Sequence, residues 1–261
     1  MNRYRSIGAL ALGSAILLTA CPDAPSRARA GGVETGGVEW PNYGNDAGGT
    51  KFSPLDQIDR SNVSNLEVAW TSRSGDFPPE MFEAQVHGED PDLPEDPRAG
   101  GPCSQCHGTE VKFETTPLMR DGALLLSTPI NRVLALDPET GGERWAFDPS
   151  VDQDRGSSEG LISRGVAAWD DPDRPSAACG RRVYVTTIDA RLVSLDAETG
   201  VPCEGFGDGG TVDLTQGVAI NGRQVDLGDY LSTSPPAVVN GLLVVGSAIG
   251  DNRRKDVESG V

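Results

Sequence analysis

Cys103-Ser104-Gln105-Cys106-His107 sets two thiols three residues apart with an imidazole directly after them. That pattern attaches haem c: two thioethers clamp the vinyl groups while the neighbouring imidazole reaches the iron. Met81, His87 and Met119 are the candidate sixth ligands, and because the chain has only 2 His, a bis-His arrangement has to use His87. Two other chemistries fit the same residues, a small loop disulfide between Cys103 and Cys106, or zinc held by the two thiols with His87 and His107. Asp251 and Asn252 follow Gly250. Their carboxylate and amide oxygens are the hard ligands that calcium takes, and the same pair is common turn chemistry.

Cys179 and Cys203 flank the apolar runs from Val183 to Thr187 and from Arg191 to Asp196. A hairpin brings its own ends together, so the spacing predicts a disulfide between them, as suits an exported chain.

These residues sit on a repeat of about sixty residues. Arg132-Val-Leu-Ala-Leu-Asp137-Pro-Glu-Thr-Gly141 matches Arg191-Leu-Val-Ser-Leu-Asp196-Ala-Glu-Thr-Gly200 at an offset of 59. Each copy reads as strand, Asp-x-Glu-Thr-Gly turn, strand, with Asp capping the turn and Gly supplying a positive φ. Further apolar runs precede both copies, Leu124 to Thr128 and Val183 to Thr187, and a third run appears from Leu242 to Ser247. The unit is therefore a small antiparallel sheet of at least three strands. Such a sheet cannot bury both faces alone, and units of this size stack around an axis as propeller blades. The fold class is all-β. The third copy stops at Gly260-Val261 before its turn, so we expect the natural chain to continue and these to be its first blades.

Composition agrees. The 261 residues are 37% hydrophobic, with 33 Gly and 19 Pro, a loop-rich balance that fits short strands better than long helices. The 22 Lys plus Arg stand against 39 Asp plus Glu, a net charge of −17, which argues against nucleic acid as a partner because phosphate binding needs a basic face.

Arg3 and Arg5 precede an uncharged run from Ile7 to Leu18, the length of a secretory segment and too short to span a bilayer. Leu18-Thr19-Ala20-Cys21 resembles the lipobox of bacterial lipoproteins, whose Cys is acylated; ordinary cleavage after Ala28-Arg29-Ala30 is the alternative. We expect residues 1–20 to be a signal peptide, Cys21 a lipid anchor, 21–37 a flexible tether, and 38–261 a periplasmic, membrane-tethered partial propeller with an insertion at about 78–111. With Cys21 on lipid, the four remaining Cys make an even number.

Glu39-Trp-Pro-Asn-Tyr-Gly-Asn-Asp46, Phe113-Glu-Thr-Thr-Pro117, Ser127-Thr-Pro-Ile-Asn-Arg132, Ser163-Arg-Gly165, Thr233-Ser-Pro-Pro236 and Gly246-Ser-Ala-Ile-Gly-Asp-Asn252 follow one another here. In order and spacing they resemble the quinoprotein dehydrogenases, in the glucose, quinate and polyol branch. The resemblance implies an eight-bladed propeller when complete, with pyrroloquinoline quinone (PQQ) on its axis and calcium beside it. It implies that Arg164 forks onto a PQQ carboxylate, that Glu114, at a strand start, lies against the cofactor, and that Asp251 and Asn252 are the calcium ligands. Ser232 and Thr233 are candidate hydroxyl donors to PQQ, or caps of a turn. PQQ is a flat tricarboxylate, so a cation and hydroxyls are what its site must supply.

The same resemblance places the catalytic Asp and a cofactor-facing Lys beyond residue 261, so no catalytic residue is assigned within this chain. Glucose-oxidising members have His where Ile130 stands, which argues against glucose as substrate. The expected function is oxidation of an alcohol, polyol or sugar, with electrons passing, through haem c if it is attached, to a respiratory acceptor, a quinone or a cytochrome. The competing class is a non-catalytic propeller lipoprotein that scaffolds outer-membrane assembly. Such a scaffold has no need of Arg164, Asp251-Asn252 or a haem motif.

Overall fold

Short apolar runs bounded by Asp, Asn and Gly cannot propagate helices, and they do not. The computed structural model describes residues 39–46, 48–76, 111–151, 160–220, 223–224 and 230–249. Among the described residues the helical element is one 3₁₀ turn, Val63–Asn65.

Strand β1 (Val111–Phe113) leads into a first sheet of β2 (Leu118–Arg120), β3 (Ala123–Ser127), β4 (Val133–Leu136) and β5 (Glu143–Phe147). After β6 (Leu161–Ser163) comes a second sheet of β7 (Ala167–Asp170), β8 (Arg181–Thr186), β9 (Arg191–Asp196) and β10 (Thr211–Asp213). Both are four-stranded, and each strand is hydrogen-bonded antiparallel to its neighbour in sequence. These are two propeller blades. Shorter pairs follow: β11 (Ala219–Ile220) with β12 (Arg223–Gln224), β13 (Tyr230–Leu231) with β16 (Ala248–Ile249), and the hairpin of β14 (Ala237–Val239) and β15 (Leu242–Val244).

The sequence repeat is a structural repeat in the same register. Ser127 pairs with Val133 in blade one, and Thr186 pairs with Leu192 in blade two, each 59 residues later. The third apolar run is shorter than expected: β15 ends at Val244, and the chain then turns so that Ala248 and Ile249 pair with β13.

The main core lies between the blades. Leu118, Leu125, Val133 and Ala135 from blade one meet Ala168, Val183, Val185, Val193 and Leu195 from blade two. Each fully buried Val or Leu contributes about 1.5–3 kcal/mol, so the two sheets hold each other.

A repeated joint sets the spacing between blades. The indole of Trp145 covers Gly200 of the next blade's turn so closely that a Cβ there would sit 2.5 Å from the ring. Trp145 Nε1 also donates to Ala197 O (3.2 Å). Trp70 makes the same joint with blade one, over Gly141 and onto Pro138 O (3.0 Å). Gly141 and Gly200 have φ of 70° and 71°, so Gly is required by both conformation and contact. The turns are capped alike. Asp137 Oδ1 accepts from the amides of Glu139 and Thr140 and from the Thr140 hydroxyl, and Asp196 Oδ1 accepts from the amides of Glu198 and Thr199 and from the Thr199 hydroxyl.

Blade two carries Glu204 where the offset from Trp145 falls. There a disulfide joins Cys179 and Cys203, which lie 24 residues apart in sequence, and Tyr184 packs on Phe206 with ring centres 5.7 Å apart.

Gly200→Ala is expected to lower stability by about 2–4 kcal/mol, from overpacking against the indole plus left-handed strain, read as a drop in the denaturant midpoint. Arg144 and the Thr140 amide and hydroxyl together hold the Asp137 carboxyl down at about 2 from the ordinary 3.8. The turn's stabilisation by this carboxylate is complete above the ordinary value and fades as pH falls through about 2. A carboxyl-carbon NMR titration midpoint near 4 would contradict the capped turn.

Candidate functional site

Phe113 of β1 pairs in parallel with Ser163 of β6. The residues that follow each, Glu114 and Arg164, therefore leave the same edge side by side. Backbone bonds stitch this edge to a third segment: Thr116 N donates to Arg164 O (3.1 Å) and Arg164 N donates to Thr233 O (2.8 Å). Gly165 makes the close approach possible. Its φ is 136°, and a Cβ would come within 3.1 Å of Thr116 O.

The side chains converge as the backbone does. Arg164 Nη2 lies 3.2 Å from Glu114 Oε2, and Arg164 Nη1 donates to the Thr233 hydroxyl. Both charged side chains keep much of their exposure, 44% for Arg164 and 39% for Glu114. An ion pair this wet adds under about 1 kcal/mol to stability, so its placement is not explained by folding energy.

Behind the pair lies a chain of hydroxyls, buried at Ser127 and Ser163 and half-buried at Thr115. Ser127 Oγ and Ser163 Oγ are 2.6 Å apart, and Thr115 Oγ1 is 3.4 Å from Ser127 Oγ. In front lies a cleft of about 320 Å³ lined by Arg164, Leu231, Thr233, Ser234, Ser247 and Ala248. A cation and hydroxyls facing one cleft can bind a carboxylate.

Of the residues singled out from sequence, Glu114, Arg164 and Thr233 are brought together. Glu114 follows the last residue of β1 and does not open a strand, because the chain turns there to reach Pro117 and β2. Ser232 is buried, and its hydroxyl donates to Gly246 O (2.9 Å), tying the segment after β13 to the one before β16. The cleft is lined instead by its neighbours Thr233 and Ser234 and by Ser247. Ile130 packs with Leu161 and Ile188, and Met119 lies in β2, its backbone bridged to Trp40. Cys21, Met81, His87, Cys103, Cys106, His107, Asp251 and Asn252 lie outside the described residues.

Sequence reasoning passed over Ser234, Ser247, Thr115 and the Ser127–Ser163 contact. All five lie inside the motifs quoted above, but a hydroxyl beside a strand end carries no mark of the partner that folding gives it.

The family profile described as "PQQ: Glucose/ethanol/alcohol dehydrogenase, beta-propeller domain" matches residues 40–261. A quinate/shikimate dehydrogenase (quinone) from Acinetobacter baylyi is 33% identical over 240 residues, covering 86% of this chain and 26% of that one. The quinoprotein glucose dehydrogenase A of Acinetobacter calcoaceticus is 32% identical over 235 residues, covering 85% and 26%. Among solved structures, a quinohemoprotein alcohol dehydrogenase from Pseudomonas putida superposes with a TM-score of 0.54 at 27% identity, covering 82% of this chain and 23% of that one. The chain spans about a quarter of the length of the curated relatives it matches.

Arg164→Gln is expected to change folding stability by less than about 1 kcal/mol. Ser163→Ala removes the 2.6 Å partner of the buried Ser127 hydroxyl, leaving it the long Thr115 contact alone, and should cost about 1–3 kcal/mol. Equilibrium denaturation of the two variants side by side checks the contrast.

Proposed function

The chain belongs to the PQQ-dependent glucose/ethanol/alcohol dehydrogenase β-propeller family, and from that premise we propose that the protein is a quinoprotein dehydrogenase that oxidises an alcohol, polyol or sugar. The observation that carries this reading is the placement of Arg164 and Thr233, from separate stretches of chain, on one polar cleft, with Glu114 from a third stretch paired to the same guanidinium.

The residues present suit the cofactor's chemistry. PQQ brings carboxylates; Arg164 offers a guanidinium fork already oriented by Thr233, and Ser234 and Ser247 line the same cleft. Glu114 pairs with the guanidinium, and because the pair is exposed, a carboxylate can join Arg164 at little cost. When bound, the quinone supplies a two-electron acceptor, and calcium a Lewis acid beside its carbonyl. Asp251 and Asn252 are the residues we assign to calcium. Cys103, Cys106 and His107 we assign to haem c, a one-electron carrier suited to hand electrons outward to a respiratory quinone or cytochrome. Both sets come from the sequence reading, as do the signal peptide, the Cys21 anchor and the periplasmic location.

The substrate is a small molecule. Ile130 sits in an apolar cluster with Leu161 and Ile188, where it can neither donate nor accept a proton.

Titration of the intact apoprotein with PQQ and calcium, followed by dye reduction across alcohols, polyols, cyclic hydroxy acids and sugars, tests the proposal. Saturable PQQ binding is expected, weakened about ten- to hundredfold by Arg164→Ala. Absence of PQQ binding by folded protein would favour the non-catalytic scaffold. Absorbance at the c-type Soret and α bands, in a host that attaches haem c, reports separately on Cys103, Cys106 and His107.

A further inference from the structure

The β3–β4 and β8–β9 turns follow one plan, but only the second carries a carboxylate of its own. In blade two the turn carries its own acid: Asp189 accepts from Arg191 Nε (3.0 Å) and Nη2 (2.6 Å) and from the Thr187 hydroxyl. Arg191 also donates to Pro149 O (2.8 Å), fastening the chain that leaves β5. Blade one has Thr128 and Arg132 at the corresponding positions, 59 residues earlier, but Ile130 where Asp189 stands. Arg132 still does the corresponding fastening, for its Nη1 donates to Ser74 O. Ser74 precedes Pro149 by 75 residues, as Trp70 precedes Trp145.

The missing acid stands nearby on a different segment. Asp76 Oδ1 lies 3.7 Å from Arg132 Nη1, and its side chain has 0% exposure. Among the described residues neither Asp76 oxygen closes a direct hydrogen bond, although the Thr128 hydroxyl and the Ile130 amide stand close enough to act on its charge, and the equally buried Thr128 Oγ1, Asn131 Nδ2 and Arg132 Nε close none either. Buried polar atoms are rarely left so, and here Thr128, Asn131 and Arg132 belong to one turn, which Asp76 adjoins through Arg132. The set contains acceptors in the carboxylate, donors in Asn131 and Arg132, and a hydroxyl that is both. A cation would face the Arg132 guanidinium and an anion the Asp76 carboxylate. Water satisfies both kinds of neighbour.

We infer that Asp76 is the carboxylate that the blade-one turn lacks, supplied from residues 71–76 and joined through ordered water to Thr128, Asn131 and Arg132, so that it locks this strap onto the turn. Burial pushes the Asp76 carboxyl above its usual range, while Thr128, the Ile130 amide and Arg132 pull it back. Among the described residues Asp148, 3.9 Å from Arg132 Nε, is the other acid facing the guanidinium; it is 57% exposed and weakly coupled by comparison. The lock stands beside the candidate site. Thr128 adjoins Ser127, whose hydroxyl contacts Ser163, the residue before Arg164. Asp76 thus holds the strap to the turn, and that role does not depend on which cofactor the cleft takes.

Amide hydrogen exchange of residues 71–76, followed by mass spectrometry on the intact protein, tests this with Asp76→Asn, Arg132→Gln and the double variant. Each single change is expected to speed exchange of the strap about tenfold, and the double variant no further, because the two side chains act as one unit. Arg191→Gln is the control: it should speed exchange around Pro149 and leave 71–76 unchanged. Strap exchange unaltered in Asp76→Asn, or effects that multiply in the double variant, would overturn the inference. Should Arg132→Gln fail to fold, Asp76→Asn compared with Arg191→Gln still decides it.

Discussion

An indole lying on a bare α-carbon sets the distance and angle between neighbouring blades. Trp145 on Gly200, and Trp70 on Gly141, can approach this closely because no Cβ intervenes, and the indole N–H finds a backbone carbonyl in the same turn. The turn in its own right is shaped by an Asp that accepts from two amides and a Thr hydroxyl. A four-stranded sheet has two faces and cannot cover both. The joint brings the next sheet to the uncovered face, where Val133, Val183, Val185 and Leu195 exclude water between them.

Everything at the inner ends of the blades depends on that stacking. Arg164 meets Glu114 because β6 lies parallel to β1, and it meets Thr233 because the segment after β13 is brought alongside. The hydroxyl chain through Ser127 and Ser163 ties blade one to the strand that carries Arg164. The inner part of the site is buried and hydrogen-bonded, while its charged part is solvated and able to exchange partners. That division suits recognition of an anion, where the frame must not move and the guanidinium must accept a new partner at little cost.

The two blades also show how one scaffold tolerates different fastenings. Blade two carries a disulfide and a Tyr184–Phe206 contact near the place where blade one has Trp145. Its inner turn uses an acid from within the turn, whereas blade one draws on Asp76 from the strap. The contact geometry persists while the residues that supply it change, because each position asks for a charge, a hydroxyl or an apolar face, and more than one segment can present it.

Local features were legible without coordinates. The Asp-x-Glu-Thr-Gly turns, the strand runs and their 59-residue offset read directly as a repeated antiparallel sheet, since strand and turn preferences are properties of a few adjacent residues. The Cys179–Cys203 pairing followed from hairpin geometry for the same reason. The quoted motifs marked Arg164 and Glu114 as candidates. What those residues touch was decided only by packing: the Glu114 contact, the Thr233 contact, the turning of Ser232 onto Gly246, and the burial of Asp76 beside Arg132 all join residues far apart in the chain. A sequence records which groups are available, but a side chain's partner depends on which surfaces exclude water together, and that is settled only when the blades close on each other.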